Sequence, residues 1–365
     1  MRRDHAERQR REHGRRAVAV LPVHYPKELL TAHDLLAIEL WGPPGPPRGP
    51  DAGRLQTYVC AVARNALAFL ASGGAAVCDA VLFPHTCDSL QGLATLAPDF
   101  GGWKRKTFVF QHPRGADRHV SRKFLDAELR GLSRELEEWT GRPLSGERLS
   151  WAVRLHQEID DARFALLEGR ARLRLSDVEL YALLRRGEWL WPEEHLCELK
   201  AAQATLAAAP AQRGLPLLVT GYVPEPPGLL AALGGAGLYL AADDYAAVGR
   251  RISRPAGPVA ADPWAALLDR YAARPPCPTS GSDQPLRMRY LEGLFARSGA
   301  SGVLVHVQKF CEPELFDVPA IRRTFAARGV PLLVVEGELE RDLSGQVETR
   351  IEAFAELLRA RARAA

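Results

Sequence analysis

Two apolar runs, far apart in the chain, each stop at a cysteine. Ala80-Val81-Leu82-Phe83-Pro84-His85-Thr86 leads to Cys87, and Gly302-Val303-Leu304-Val305-His306-Val307-Gln308-Lys309-Phe310 leads to Cys311. Short, nearly continuous apolar runs with helical patterning after them read as buried strands of a parallel sheet. In open α/β sheets, ligands collect beyond the carboxyl ends of the strands. Two thiols at such ends, from opposite halves of the chain, can converge on one object. A third, Cys60, lies in the first turns of a helix expected over 55–72.

A chain of 365 residues is too long for one small core and implies about two domains. A helix is expected over 26–40, and the Gly/Pro-rich stretch from Trp41 to Pro47 is a loop. Strands over 77–84 and 106–111 flank a helix that carries Ser89. Residues 120–205 are mostly helical, with apolar spacing of i, i+3 and i+4 in Phe124, Leu125, Glu128, Leu129, Leu132 and Leu136. Strand–helix alternation resumes with strands over 215–223 and 237–242, a Pro-rich linker over 254–285, a helix over 286–298, the strand before Cys311, a helix over 318–328, a strand over 330–336 and a helix over 346–362. The expected architecture is α/β: two domains with mostly parallel, Rossmann- or flavodoxin-like sheets and a helical insertion between them. The boundaries fall at a disordered basic head (1–16), an N-terminal α/β domain with Cys60 and Cys87 (17–140), a helical insertion (141–205) and a C-terminal α/β domain with Cys311 (206–365).

Charge narrows the partners. The net charge is only +4, and much of it sits in the head, where seven arginines face three acids. Such a segment reads as a solvated tail. No surface of interleaved aromatic and basic residues follows it, which argues against nucleic acid. The longest apolar stretch, 228–242, carries four glycines and falls short of the roughly 20 residues of a membrane helix. With no secretory signal in view, a cytoplasmic protein without a membrane anchor is expected. Its six cysteines are then reduced, metal-bound or buried rather than paired as disulfides.

Motifs for other chemistries are absent: there is no GxGxxG or GxxxxGK[ST], no GxSxG and no HExxH. Asp243-Asp244, after a strand, reads as a cap rather than a metal site. The acids that open the final helix, with Arg350, read as a solvated face. Thiolates at strand ends suit an iron–sulfur cluster, which is usually held by four. Three would leave one iron with an open position, the arrangement that separates a reactive metal site from a closed one. Taken singly, a cysteine is more often a core filler than a ligand. What favours Cys87 and Cys311 is position, beside His85, Thr86, Asp88 and Ser89 in one case and Glu312 and Glu314 in the other. Cys78, Cys197 and Cys277 lack such a setting and read as structural.

Four stretches carry a resemblance to a known family: Val81 to Ser89; Gly221 to Pro226 followed by Ala242-Asp243-Asp244; Lys309 to Asp317; and Gly345 to Phe354. Together with the order of elements from about residue 20, they resemble the iron–sulfur subunits of 2-hydroxyacyl-CoA dehydratases and benzoyl-CoA reductases, in particular the dehydratase D-component type. The resemblance implies a [4Fe–4S] cluster held by Cys60, Cys87 and Cys311. It also implies a homologous second subunit or a second copy of the same chain, an ATP-dependent activator as one-electron donor, and an acyl-CoA substrate. In the dehydratases, one electron converts the thioester carbonyl to a ketyl radical anion. The α-hydroxyl then leaves, the β-proton becomes acidic, and the electron is returned.

The leading expectation is therefore a cluster-bearing lyase subunit acting on a 2-hydroxyacyl-CoA. His85, Ser89 and Glu312 are candidates for the base and oxygen contacts, each equally readable as a partner that tunes the sulfurs. A benzoyl-CoA-reductase-like subunit is the alternative, with a double-cubane relative if Cys78 joins a larger cluster. A non-catalytic scaffold with structural cysteines is the third reading.

Overall fold

The computed structural model describes residues 2–43, 45, 55–99, 102–115, 119–212, 214–257, 259–339 and 342–364. Helix α1 (Arg2–His13) precedes an alternating unit: β1 (Arg16–Val20), α2 (Lys27–Ala32), β2 (Leu35–Glu39), α3 (Ala61–Ala71), β3 (Ala80–His85), α4 (Asp88–Asp99) and β4 (Lys106–Gln111). Its four strands lie parallel in the order β2-β1-β3-β4. Four long helices follow: α5 (His119–Thr140), α6 (Gly146–Glu168), α7 (Asp177–Arg185) and α8 (Pro192–Gln203). The second unit then runs β5 (Leu215–Gly221), α9 (Pro227–Gly235), β6 (Leu238–Tyr245), α10 (Pro263–Ala272), α11 (Gln284–Ser298), β7 (Gly302–Gln308), α12 (Glu312–Ala326), β8 (Leu332–Gly337) and α13 (Gly345–Ala364). Its sheet is again all parallel, in the order β6-β5-β7-β8.

The two α/β domains thus repeat one topology. Counting strands from the start of each unit, the order in both is 2-1-3-4. Parallel pairing buries both faces, which is why Val18, Val20, Val81, Leu82, Val303 and Leu304 lie in unbroken apolar runs. The order in which strands are added reverses between the first and third strands, so each sheet opens a crevice at the carboxyl ends of that pair. At the end of β5, a Cβ on Gly221 would collide with the His306 carbonyl oxygen and crowd Tyr245. The neighbouring strand comes that close because the side chain is missing. No helix among the described residues is long and apolar enough to cross a membrane.

Three expectations need correction. The head is not disordered: α1 docks on the insertion with His5, Ala6 and Gln9 buried. Gln9 Nε2 and Arg8 Nη2 each donate to Glu194 at 2.6 Å, and the Trp191 backbone N–H donates to His5 Nε2 at 3.2 Å. Its charges have specific partners, which composition alone does not reveal. Residues 26–40 do not form one helix. The chain turns at Asp34, in the left-handed region at φ 59°, and 35–39 becomes strand β2 because pairing with β1 overrides the helix propensity of its leucines. Finally, α12 begins at Glu312 rather than near 318, with Pro313 in the first turn, where a missing N–H costs nothing.

Candidate functional site

Cys60, Cys87 and Cys311 all stand at the heads of helices. Cys60 caps α3, Cys311 caps α12, and Cys87 directly precedes α4. The first-turn N–H groups lie toward the sulfurs and lower their pKa, Val62 and Ala63 at Cys60, Ser89 and Leu90 at Cys87 and Glu314 at Cys311, although neither Cys60 nor Cys311 makes a side-chain cap hydrogen bond. Together with the positive end of each helix dipole, these donors favour the thiolate.

Burial opposes them and wins. It pushes all three thiols up, Cys87 to about 12. Cys60 raises Cys87 further, and Glu314, then Cys60 and Cys87, raise Cys311. The three sulfurs therefore share one electrostatic neighbourhood, in which negative charge on one disfavours it on the others. A bound cationic centre would reverse that balance.

Tyr222, one residue past the end of β5, feels the same sulfurs. Burial raises its hydroxyl, and Cys87, Cys311, Cys60 and Cys277 follow as further causes. Its ring packs edge-on against Trp41 at 5.5 Å, and its hydroxyl donates to the Pro22 carbonyl at 3.5 Å. Sequence reasoning quoted Tyr222 only within a matching segment. Its place at the end of a first strand was the available signal.

Buried polar atoms without hydrogen-bond partners flank the thiols. They are Thr86 Oγ1 and His85 Nε2 before Cys87, Gln308 Oε1 before Cys311, and Arg64 Nε after Cys60. Orphaned groups are rare in folded interiors and mark places where something else is bound or moves. His85 closes β3 and shares a hydrogen bond through Nδ1 with Gln111 Oε1. Ser89 is half-buried in the first turn of α4, and Glu312 is exposed in the first turn of α12. The inward acid of that turn is Glu314, which binds Arg250 Nη1 and Nη2.

The remaining cysteines separate clearly. Cys78 is buried before the start of β3, at the opposite end of that strand from Cys87. Cys197 is exposed on α8. Cys277 is fully buried; Arg250 Nη1 donates to its sulfur at 3.5 Å, and Thr279 Oγ1 lies 3.0 Å away. Asp243 and Asp244 are buried within β6 rather than lying after it. Asp243 accepts from the Gly249 N–H at 2.6 Å and the Tyr245 N–H at 3.1 Å, and Tyr181 donates to its other oxygen; the cap of the short helix at Gly249–Arg251 is Val248, so neither aspartate is the helix cap expected from the sequence. Asp244 pairs with Arg250 and Arg287.

Among the described residues, no three His, Cys, Asp or Glu side chains gather closely enough to hold a single metal ion. A cubane makes a different demand. Each thiolate takes its own iron, so the sulfurs stand apart around the group rather than meeting at a point. Three cysteines at helix N-termini with orphaned polar neighbours fit that demand in donor chemistry.

A family model for the 2-hydroxyglutaryl-CoA dehydratase D-component matches residues 22–358. The chain belongs to this family. Among curated relatives it is 25% identical to the beta subunit of lactoyl-CoA dehydratase from Anaerotignum propionicum, an alignment covering 95% of this chain and 93% of that one. It is 24% identical to the beta subunit of (R)-2-hydroxyglutaryl-CoA dehydratase from Acidaminococcus fermentans, over 94% and 93% of the two chains. It is 25% identical to a benzoyl-CoA reductase subunit from Thauera aromatica, over 87% and 84%. The match to the D-component family begins after β1 and takes in the other three strands of the first sheet, the whole second sheet and Cys60, Cys87 and Cys311.

Proposed function

We propose that this chain is the iron–sulfur subunit of a 2-hydroxyacyl-CoA dehydratase, holding one [4Fe–4S] cluster through Cys60, Cys87 and Cys311. One observation carries the reading: three thiols from separate segments stand at three helix N-termini and act electrostatically on one another and on the buried Tyr222. When bound, the cluster supplies a low-potential electron and an iron open to a substrate oxygen.

The chain's own residues set the conditions. The first-turn N–H groups of α3, α4 and α12 stabilise charge on the thiolates. Tyr222 and Trp41, both buried, close one side of the site to water. His85, with Nε2 unpartnered, is the side chain best placed to hold a proton beside Cys87, and Ser89 offers a hydroxyl in the same turn. Glu312 faces outward, toward an incoming substrate or a second subunit. The net reaction removes hydroxide from the α-carbon and a proton from the β-carbon of the thioester. The electron that enables it is borrowed and returned.

Relatives that are themselves named as subunits support a complex with a homologous subunit, and the chemistry requires an ATP-dependent activator as electron donor. Anaerobically purified protein should contain iron and sulfide and, with a partner subunit, activator, ATP and reductant, should form a 2-enoyl-CoA without net consumption of reductant. A colourless protein lacking iron would overturn the reading. The relative from Thauera aromatica supports a second reading, reduction of an aromatic acyl-CoA; a dearomatised product would select it.

A further inference from the structure

Behind the loop that leaves β1 lies a second polar centre. A narrow cavity of about 20 Å³ is lined mostly by cations and imidazoles, among them His24, Lys27, Arg163, Arg251, Arg270 and Arg274, and by the acids Glu28 and Asp160. His24 and Arg274 also line a wider, open pocket of about 150 Å³ at the ends of β1 and β4, with His112, Ser280 and Ser282. The two cavities share that wall.

The charges around the inner cavity do not cancel. Arg270 pairs with Glu28 at 2.9 Å and with Asp160 at 2.7 Å, and Arg163 approaches Asp160 at 3.7 Å. Lys27 lies 3.0 Å from Glu39, which also pairs with Arg251. Burial lowers His24 and His156 and keeps both neutral, and it lowers Lys27 to about 7. The four arginines alone still outnumber the three carboxylates. Arg274 is half-buried and joins no ion pair among the described residues, though its charge lowers Glu28; it stacks on Tyr271 at 3.7 Å, and its Nη1 is buried without a hydrogen-bond partner, as is Glu28 Oε2. His24 Nε2 and Arg163 Nε are buried and unpartnered as well. His24 also holds a left-handed backbone, φ 60°, a conformation that costs a non-glycine residue and persists where the surroundings impose it.

A surplus cation held partly away from water is costly without a counter-charge, and folded proteins pair such groups. We propose that the paired cavities form an oxyanion subsite: a carboxylate- or phosphate-bearing small molecule enters the outer pocket and seats its anionic group against Arg274 and His24. The guanidinium supplies a fork for two oxygens and the imidazole a further donor or acceptor. Asp283, exposed at the rim of the outer pocket, and the Arg122–Asp269 pair leave the mouth near neutral. The inner wall therefore carries the selectivity. The inference does not depend on what the cysteines bind.

Thermal unfolding of the full chain with inorganic phosphate, acetate or chloride at matched ionic strength tests it. Phosphate, acetate or both should raise the midpoint of unfolding saturably, and chloride should not. Arg274→Gln should weaken the oxyanion response by about tenfold or more, the loss of a bidentate charged contact. Should that variant fail to accumulate, Arg274→Lys, which keeps charge and loses the fork, should bind more weakly than the unaltered protein. Phosphate acting alone assigns the subsite to phosphorylated molecules, and acetate acting alone to carboxylates. An equal response to chloride, or an oxyanion response unchanged in the Arg274 variant, overturns the proposal.

Discussion

Arg250 holds Glu314 with both guanidinium nitrogens, Nη2 reaching Oε2 at 2.9 Å. Both side chains are buried. The pair fastens the segment after β6 to the first turn of α12, whose cap is Cys311. Asp244, Arg287 and Thr220 complete the network. Arg250→Met is expected to strand Glu314 and to cost about 3–5 kcal/mol, as breaking buried pairs does. Equilibrium denaturation measures it, and a loss below about 1 kcal/mol would contradict a structural role.

Cys87→Ser and Cys311→Ser should each lose most of the iron and all turnover, while the apoproteins keep their helical content. Cys197→Ser should match the parent in both, because its side chain is exposed on α8. Iron and sulfide analysis after anaerobic purification decides between these outcomes. Full iron in Cys87→Ser would remove that residue from the ligand set. The cluster should also be sensitive to oxygen, since three thiolates leave one iron exposed; activity that survives prolonged air exposure would count against it.

Asp243 gives a signature in pH. Burial pushes its carboxyl up to about 7, with the Tyr181 hydroxyl and two backbone N–H groups opposing. A folded-state value above the unfolded one means stability is full below about pH 4 and is lost as pH rises through 7. Asp243→Asn cannot ionise, so its stability should be flatter between pH 4 and 7 than the parent's. Urea titrations at several pH values measure the difference; parallel profiles would refute the assignment.

Removal of residues 2–13 should destabilise the protein by about 2 kcal/mol or more, the scale of losing several buried contacts. The segment buries Ala6 and Gln9 and ties Arg8 to Glu194. It also sits beside Trp191, over which Arg15 stacks at 3.7 Å. A midpoint of thermal unfolding unchanged by the truncation would restore the tail reading.

Much of the architecture was legible because β3, β5 and β7 are continuous apolar runs that only a buried parallel sheet can house. The cysteine placements at strand ends were legible for the same reason. What escaped were features decided by distant partners. Leu35, Leu36 and Ile38 suit a helix by propensity, and only β1 alongside makes them a strand. The head reads as solvated until Glu188 and Glu194, contributed from far along the chain, meet its arginines. Arg250 sits between a valine-ended turn and a second arginine, with nothing local to show that it would be fully buried between Asp244 and Glu314. The cavity around His24 draws residues from β1's loop, α2, α6 and the α10 region, a convergence that no window of sequence displays.

The repeated strand order has a numerical consequence. Cys87 and Cys311 occupy matching places after the third strand of their sheets, and Cys60 and Cys277 both fall between the second and third strands. A doubled plan of this kind offers sulfur in even numbers. Cys277 differs from the other three in being engaged by Arg250 and Thr279. The near-symmetry of the halves is broken at that one corner, and an inorganic group seated there would present a distinct face on that side alone.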